Sequence, residues 1–367
     1  MAKKQKVKQH RPLRTLVKTV GIVLLVLVLA AVGLVAYLSI TEYRPQDLEE
    51  VSLTGGADKT LAPGDRLTVM TWNIGYGALG DNADFFMDGG SGVQTADEDR
   101  VRSNLVGIAQ AVDQVSPDVL LLQEVDRDSR RSWHIDQAAW LQDRWPDKTG
   151  AFANNFKVAF LPYPVPPIGQ VDSGLLTLSS FRVGSAQRVQ LPIPFAWPVR
   201  MANLKRCLLV EHIPLEGTDR ELVLINLHLE AYDNGEGKAA QTAMLEQVLN
   251  EQAEAGNYVI AGGDFNQIFS NADQEAYPAQ EGKWQAGQID GEKLIAQGWS
   301  LLMDASTPTC RSLDQPYAGA DRASFQYYLI DGFILSSNLV LDSVQTQDLG
   351  FVYTDHNPVV LRLTLAD

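Results

Sequence analysis

Acidic, amide and imidazole side chains recur at the ends of predicted strands, where each interrupts or borders an apolar run. These residues are Asn73, Glu124, His228, Asp264, Asn266, Asp355 and His356. Taken singly, each has an ordinary explanation as a hydrogen-bonded core residue, a solvated strand end or a turn residue. Together they indicate a shared site, because loops at strand ends bring together groups that are distant in sequence.

The chemistry of this set indicates a divalent cation and a phosphoester. Buried carboxylates near one another are costly unless a cation binds between them. The candidate donors are all oxygens, from Glu124, Asp264, Asp355, Asn73 and Asn266. Such donors suit Mg²⁺, and also Mn²⁺ or Ca²⁺, better than Zn²⁺. The two histidines would then position or protonate oxygens of a phosphoryl group during in-line attack.

Apolar patterns predict the strands that carry these residues. RLTVMTWNI (66–74) alternates like a strand, residues 101–115 have helical spacing, and PDVLLLQEV indicates a buried strand. Residues 206–230 predict an antiparallel hairpin, and residues 239–256 predict a helix before the strand NYVIAGG. Helices mixed with hairpins favour an α/β fold. We expect a four-layer α/β sandwich, with two packed mixed β-sheets flanked by helices.

The first 40 residues predict a membrane anchor. Residues 19–40 carry no charge over 22 positions, enough for a helix to cross a ~30 Å hydrocarbon layer. Residues 1–18 hold seven Lys or Arg and no acidic residue, a bias that places the N-terminus in the cytoplasm. A cleaved signal peptide is the alternative, although its apolar core is usually roughly 7–15 residues. We therefore predict a basic cytoplasmic tail (1–18), a transmembrane helix (19–40), a linker (41–64) and an extracellular globular domain (65–367) in a single-pass cell-membrane protein.

Charge and cysteine content set further limits. The formal net charge is −15, and the seven basic residues before Ile40 leave −22 on the remainder. Such an acidic domain repels polyanions unless cations or a local basic patch intervene, which disfavours sequence-independent binding to nucleic acid but not a metal-dependent phosphodiesterase. Cys207 and Cys310 could form a disulfide or remain a free buried pair. Their separation in sequence does not distinguish these two states.

Seven segments, in this order, resemble motifs of the endonuclease/exonuclease/phosphatase superfamily. They are TWNIGYG, LLLQEV, SGLLTLS, NLHLE, GGDFN, IDGFILS and DHNPVV. The resemblance covers about residues 66–365 and suggests a membrane-anchored bacterial-type member. The superfamily includes deoxyribonucleases, abasic-site endonucleases, inositol-polyphosphate 5-phosphatases and neutral sphingomyelinases. Single segments such as GDFN are weak signals, whereas seven in order are specific.

The resemblance implies roles at the metal and at the attacking water. Glu124 would be the main metal ligand, with Asn73 and Asp355 completing the metal environment. Asp264 would orient or deprotonate the water, and Asn266 would hold a phosphate oxygen.

The resemblance also implies roles at the phosphoryl group. His356 would contact it, held in place by Asp331, and His228 would face the same phosphate. Two departures weaken a finer assignment. An acidic partner for His228, of the kind deoxyribonucleases have, is not identifiable. The tracts with which inositol phosphatases grip substrate phosphates are not recognisable either.

The expected function is a membrane-anchored, extracytoplasmic, Mg²⁺-dependent phosphoesterase acting on a phosphodiester or phosphomonoester. The substrate would be a lipid head group, a small phosphoester or nucleic acid, and the acidic charge favours the first two. No protein partner is evident. Three loops, 81–99, 161–170 and 190–201, carry aromatic residues that would either pack on one another or form an apolar rim touching a bilayer. The alternative function is a catalytically inactive, anchored binding module, whose mark would be the loss of site residues that are all present here.

Overall fold

The computed structural model describes residues 11–233 and 235–367, with side chains from residue 14 onward. The helices of this part are α1 (Arg11–Ile40), α2 (Glu98–Val115), α3 (Gln137–Arg144), α4 (Glu236–Glu254) and α5 (Glu292–Ala296). The strands are β1 (Leu48–Glu50), β2 (Leu53–Thr54), β3 (Arg66–Asn73), β4 (Val119–Asp126), β5 (Thr149–Leu161), β6 (Gly169–Ser179), β7 (Ser185–Gln190), β8 (Cys207–Pro214), β9 (Glu221–His228), β10 (Tyr258–Asp264), β11 (Gln267–Phe269), β12 (Gly287–Ile289), β13 (Ser300–Leu302), β14 (Cys310–Arg311), β15 (Tyr327–Tyr328), β16 (Asp331–Leu335), β17 (Leu339–Thr346) and β18 (Val359–Leu365). Most of the predicted basic tail, residues 1–10, lies outside the described residues.

Two seven-stranded mixed sheets carry the architecture. Sheet A has the strand order β1-β7-β8-β9-β10-β16-β13, and sheet B has the order β17-β18-β3-β4-β6-β5-β2. Each sheet contains one parallel pair, β9 with β10 in sheet A and β3 with β4 in sheet B. The other neighbours are antiparallel. The parallel pairs lie near the centre of each sheet, where the predicted site residues end their strands.

The sheets pack face to face with helices on both outer sides. Successive β3 residues point to opposite faces, so Val69 packs between the sheets while Met70 and Trp72 face α2. α2 contributes Leu105 and Ile108 to that outer core. Residues of α4 and α5 pack on the outer face of sheet A. The predicted four-layer α/β sandwich with two packed mixed sheets is therefore confirmed.

The range predicted as a linker, 41–64, is partly structured. β1 pairs with β7 at the edge of sheet A, and β2 pairs with β5 at the edge of sheet B. Further along, Leu61 is only 1% exposed and packs between the sheets. Backbone groups of this segment complete two open sheet edges, a tertiary contact that its Gly- and Pro-containing sequence did not indicate.

The apolar helix α1 differs from the other helices in its exposure. Within its segment Arg14–Ile40, the most apolar 18-residue window has a mean hydropathy of 2.9, and none of that window is buried within the described residues. By length and composition it could cross a membrane.

One buried carboxyl group between the sheets lies near the hydroxyl of Thr177 without a hydrogen bond of good geometry. Glu211 of β8 is fully buried, and neither of its carboxyl oxygens has a hydrogen-bond partner among the described residues. Burial raises the pKa of Glu211 to about 8. A raised pKa means that the charged form opposes folding, so this penalty is absent well below the unfolded value and grows as pH rises toward 8.

We expect Glu211→Gln to stabilise the protein at alkaline pH. The gain in the free energy of unfolding should be on the order of a few kcal/mol at pH 8 and should shrink to below about 1 kcal/mol at pH 5. Thermal unfolding of the full chain in detergent at both pH values measures it. The exposed Glu216→Gln, in the turn after β8, is the matched control and should change neither melting temperature. An equal gain at both pH values would contradict the ionisation of Glu211.

Candidate active site

The central strands bring the predicted residues to one edge of the sandwich. Asn73 ends β3, and Glu124 lies near the end of the parallel neighbour β4. His228 ends β9 in register with Asp264, which ends β10. Asp331 begins β16 directly opposite Asp264, because β16 runs antiparallel to β10. The amino end of an antiparallel strand thus meets the carboxyl ends of the parallel pair.

The C-terminal segment reaches the same edge because it too enters the amino end of an antiparallel strand. Asp355 and His356 precede β18, which runs antiparallel to β3. The indole nitrogen of Trp72 donates to the carbonyl of His356 at 2.9 Å, and the amide of Arg311 donates to the carbonyl of Asp355 at 3.1 Å. These bonds fix the backbone that presents both side chains.

Asn73 joins the two sheets through its amide. Its Nδ2 donates to Asp264 Oδ2 at 3.0 Å and to Glu124 Oε1 at 3.2 Å, while its Oδ1 accepts from the amide of Gly75 at 3.0 Å. The side chain therefore holds two carboxylates side by side. A metal contact by Asn73 would use the remaining lone pair of Oδ1.

Glu124 occupies an irregular point of its strand. The pairing of β4 with β6 shifts register between Leu122 and Val125, and Glu124 has a φ of 54°. A bulge re-aims a side chain, and a positive φ in a residue other than glycine is strained. Burial raises the pKa of Glu124, Arg131 opposes this shift, and the charge of Asp355 adds to it. The strand is distorted where the predicted metal ligand emerges.

Asp264 lies at the centre of the constellation. Its Oδ1 accepts from the amide of Asn266 at 2.9 Å, and its Oδ2 lies 3.5 Å from His228 Nε2 and 3.8 Å from His356 Nε2. Burial and the nearby charge of Asp331 raise the pKa of Asp264 to about 7. Both imidazoles thus face one oxygen of a carboxyl group whose pKa is close to neutral pH.

Asn266 shapes the turn that carries Asp264. It has a φ of 51°, and its Nδ2 donates to the carbonyl of Leu229 at 2.8 Å. Asparagine tolerates this left-handed conformation better than most residues. Its second Nδ2 hydrogen is the group available for a phosphate oxygen.

His356 is paired with a buried carboxylate. Its Nδ1 lies 2.9 Å from Asp331 Oδ2, and both side chains are buried. Burial lowers the pKa of His356, but Asp331 and Cys310 together raise it more, so the net pKa lies well above the ordinary value. The imidazole is therefore held charged, with Nδ1 donating to Asp331 and Nε2 directed toward Asp264.

His228 differs from His356 in its surroundings. Its Nδ1 is buried with no hydrogen-bond partner among the described residues, and its backbone carbonyl accepts from Arg206 at 3.1 Å. Burial, then the positive charge of Arg206, lowers the pKa of His228 well below its ordinary value. This imidazole is neutral, and the carboxylate that faces it is that of Asp264, whose Oδ2 lies 3.5 Å from Nε2.

Sequence reasoning missed several residues of the site. Tyr76, with a φ of 42°, lies in TWNIGYG, and the Arg131 guanidinium stacks 3.6 Å above its ring. Arg131 also forms two hydrogen bonds with Asp126, at 2.9 and 3.1 Å. Basic residues directly after LLLQEV were the available signal. Beneath the site, Gln123 Nε2 donates to Asn226 Oδ1 at 2.8 Å and bridges the two sheets.

A cleft of about 440 Å³ contains the site. Its polar floor includes Glu124, Asp264, Asp355 and His356, and Arg131, Arg206 and Arg311 also line it. Its walls come from all three aromatic loops predicted above and include Phe85, Phe86, Tyr163 and Phe195. A cleft with a polar floor, three arginines and apolar walls suits an anionic group attached to an apolar one.

The two cysteines are free and buried, so they form no disulfide. Cys310 lies next to the site, and burial raises its pKa to about 12. The thiol is therefore kept protonated and is a poor nucleophile.

The side chains present fit a divalent cation. Ligand atoms of Asp264, Asp331 and His356 lie within 4.8 Å of one another, as do those of Cys310, Asp355 and His356. The carboxylates of Glu124 and Asp355 line the same cleft and their charges interact, with Arg131 and His356 as positive groups near Glu124. The carboxylate oxygens among these groups are the donors that hard divalent cations prefer.

Comparisons with known proteins bear on the sequence and the fold of this chain. A sequence model described as the endonuclease/exonuclease/phosphatase family matches residues 70–356. No curated protein shows significant sequence similarity.

Three solved structures share the fold. An endonuclease/exonuclease/phosphatase from Beutenbergia cavernae is 20% identical with a TM-score of 0.55, covering 82% of this chain and 72% of that chain. Proteins from Bacteroides vulgatus (13%) and Leptotrichia buccalis (14%) each have a TM-score of 0.51, covering 82% of this chain and 99% and 100% of theirs.

Proposed function

This chain belongs to the endonuclease/exonuclease/phosphatase family, whose members are metal-dependent hydrolases of phosphoester bonds, and from that premise we propose that it is a membrane-anchored, Mg²⁺-dependent phosphoesterase with its catalytic domain outside the cytoplasm. The substrate is a phosphodiester or phosphomonoester of a lipid head group, a small molecule or nucleic acid. One observation carries the proposal: carboxylates, amides and imidazoles from positions 73 to 356 converge on one cleft.

Glu124, Asp355 and Asn73 would hold the cation. Mg²⁺ bound there supplies charge stabilisation to the phosphoryl oxygens, and it matches carboxylate and amide oxygen donors. The bulge at Glu124 and the bonds from Asn73 support this assignment, since they aim and fix the donors before substrate arrives.

The protein's own groups account for the proton transfers. Asp264 orients the attacking water and accepts its proton as the water oxygen bonds to phosphorus and the leaving ester oxygen departs. A pKa near 7 suits this task, because an effective base titrates near the working pH. The charged His356 donates a hydrogen bond to a phosphoryl oxygen, held by Asp331, and Asn266 and the neutral His228 contact the same group.

The membrane anchor rests on α1. An exposed apolar helix of this length is unstable in water and matches the thickness of a bilayer. The seven basic residues before the uncharged segment 19–40 favour a cytoplasmic N-terminus.

A substrate and metal screen tests the function. The full chain in lipid nanodiscs is assayed against DNA, sphingomyelin and inositol phosphates, with Mg²⁺ and with EDTA. We expect Mg²⁺-dependent hydrolysis that EDTA abolishes. Glu124→Gln should raise the Mg²⁺ concentration for half-maximal activity by at least ~10-fold, because a ligand carboxylate is lost. The exposed Glu216→Gln is the control. No turnover of any phosphoester would refute the proposal, and an unchanged Mg²⁺ requirement would remove Glu124 from the metal.

A further inference from the structure

The carboxyl end of α1 is fixed to the globular domain instead of leading into a free tether. Leu38 is buried, although most of α1 is exposed. Ser39 Oγ donates to Met201 Sδ at 3.0 Å, and Arg44 Nη2 donates to the carbonyl of Ser39 at 3.2 Å. The helix end therefore contacts residues 199–202, within the loop 190–201 and its continuation.

Ion pairs around one buried carboxylate reinforce this contact. The side chain of Glu42 is only 2% exposed and lies 3.2 Å from Arg200 Nε, 3.7 Å from Lys205 Nζ and 3.0 Å from Arg44 Nε. Lys205 also donates to the carbonyl of Arg200. A carboxylate enclosed by three cations is held in one position, so it ties the first turn after α1 to the loop.

Exposed apolar side chains surround this attachment point. Trp197 is 57% exposed and Val199 58%, and both lie in the loop that α1 contacts. Tyr163 and Val165, 67% and 94% exposed, lie in the loop 161–170. We refer to these four residues as the loop rim. A bilayer that α1 crosses ends close to Ile40, next to the loop that carries Trp197 and Val199.

The loop rim continues into the catalytic cleft. The rings of Tyr163 and Phe86 are 5.6 Å apart, and both line the cleft. Phe195 and Leu204, on either side of the residues that contact α1, line it as well. Apolar side chains of both rim loops thus line the cleft that holds the residues predicted to bind phosphate.

Charge distinguishes this surface from the rest of the domain. The loop 161–170 contains no charged residue, and the loop 190–201 contains only Arg200, whereas the chain after Ile40 carries a formal charge of −22. A large acidic domain is repelled by nucleic acid and by anionic head groups. An uncharged rim with Trp and Tyr is suited to the interface between head groups and acyl chains.

We propose that the loop rim inserts into the outer leaflet of the same bilayer that α1 crosses, and that the cleft draws its phosphoester from the head group of a lipid in that leaflet. This inference rests on the proposed membrane anchor and names the substrate class of the proposed hydrolase. Two attachment points, α1 and the loop rim, fix the cleft at the depth of the phosphate layer.

Site-specific fluorescence tests the insertion. Cysteine is introduced at Val199, at Val26 in α1 or at Val340 in β17, and is labelled with a polarity-sensitive nitrobenzoxadiazole. Both native cysteines are buried and should not react. Val340 is 53% exposed, close to the 58% of Val199, but β17 lies at the edge of sheet B farthest from β2 and β5, about 24 Å from β5 at a strand spacing of ~4.8 Å. Labelled full chain is reconstituted in phosphatidylcholine nanodiscs with and without nitroxide-bearing lipid.

We expect blue-shifted emission and quenching by nitroxide lipid at positions 26 and 199, and neither at 340. If the label at position 26 is quenched but the labels at positions 199 and 340 respond equally weakly, the insertion of the loop rim is wrong and the membrane anchor still holds. Absence of quenching at position 26 would overturn the anchor, and the inference with it.

Turnover tests the substrate class. Val199→Glu should reduce hydrolysis of a bilayer lipid phosphoester at least tenfold but leave a soluble phosphodiester unaffected, and Val340→Glu should change neither. Hydrolysis of nucleic acid without any lipid turnover by the unmodified chain would overturn the lipid assignment. Equal losses on both substrates in Val199→Glu would also contradict it.

Discussion

Asp264→Asn should reduce kcat by roughly 10²–10⁴-fold at saturating Mg²⁺, the usual contribution of a positioned general base. The carboxylate has the central position: it accepts from Asn73 and Asn266, and both site imidazoles face its Oδ2. An amide of the same shape cannot accept a proton from water. It can still accept one of the two hydrogen bonds, so the fold should persist with a stability change of about 1 kcal/mol.

The control for Asp264→Asn is Glu211→Gln, which neutralises another fully buried carboxyl group between the sheets. It should retain the kcat of the unmodified chain. Steady-state kinetics and thermal melting of the three proteins make the comparison. An Asp264→Asn variant that is folded and keeps more than a tenth of the original kcat would remove Asp264 from the role of base.

His356→Ala should lower kcat by roughly 10²–10³-fold, the loss seen when one donor to a developing oxyanion is removed. The imidazole is charged because of Asp331 and points its Nε2 into the cleft, so its removal leaves the phosphoryl oxygens without this donor. KM should change less than kcat, since the contact strengthens in the transition state. Added imidazole should restore part of the rate.

Asp331→Asn separates positioning from direct contact. Asp331 acts by holding His356 and, through its charge, on the pKa of Asp264, so its amide variant should lose a smaller factor, roughly 10- to 100-fold, corresponding to one charged hydrogen bond of ~1.5–3 kcal/mol. Imidazole should not rescue this variant, because the ring of His356 is still present. His212→Ala is the matched control and should keep full activity. His212 lies on β8 away from the cleft, and its Nδ1 is 2.7 Å from a carboxyl oxygen of Glu221 on β9. Equal losses in Asp331→Asn and His356→Ala, or full activity in His356→Ala, would contradict these roles.

Local patterns were sufficient for the elements and for the family. The alternation in RLTVMTWNI, the apolar run before Glu124 and the hairpin of residues 206–230 correspond to β3, β4 and the β8–β9 pair. Side-chain periodicity follows from backbone geometry and does not require knowledge of the remaining fold. The α/β sandwich and the membership in the family were predicted from these patterns and from seven ordered motifs, and both are confirmed.

The arrangement within the site required the tertiary structure. That Asn73 donates to two carboxylates depends on the packing of sheet A against sheet B, which no local pattern specifies. The opposite pKa shifts of His228 and His356 arise from burial and from Asp331, a neighbour at the site that comes from another strand. Arg131 was missed because its stacking on Tyr76 joins two separate loops.

The sequence by itself therefore determined which residues are available for phosphoester chemistry and which strands present them. Residue type and short-range periodicity are properties of each short segment and do not depend on how the segments pack. Only the tertiary structure decided how these groups are charged, which are held in place, and that Glu42 ties the apolar helix to the loop beside the cleft. Those properties depend on burial, register and distances of a few ångströms between distant segments, and such distances exist only once the sheets have packed.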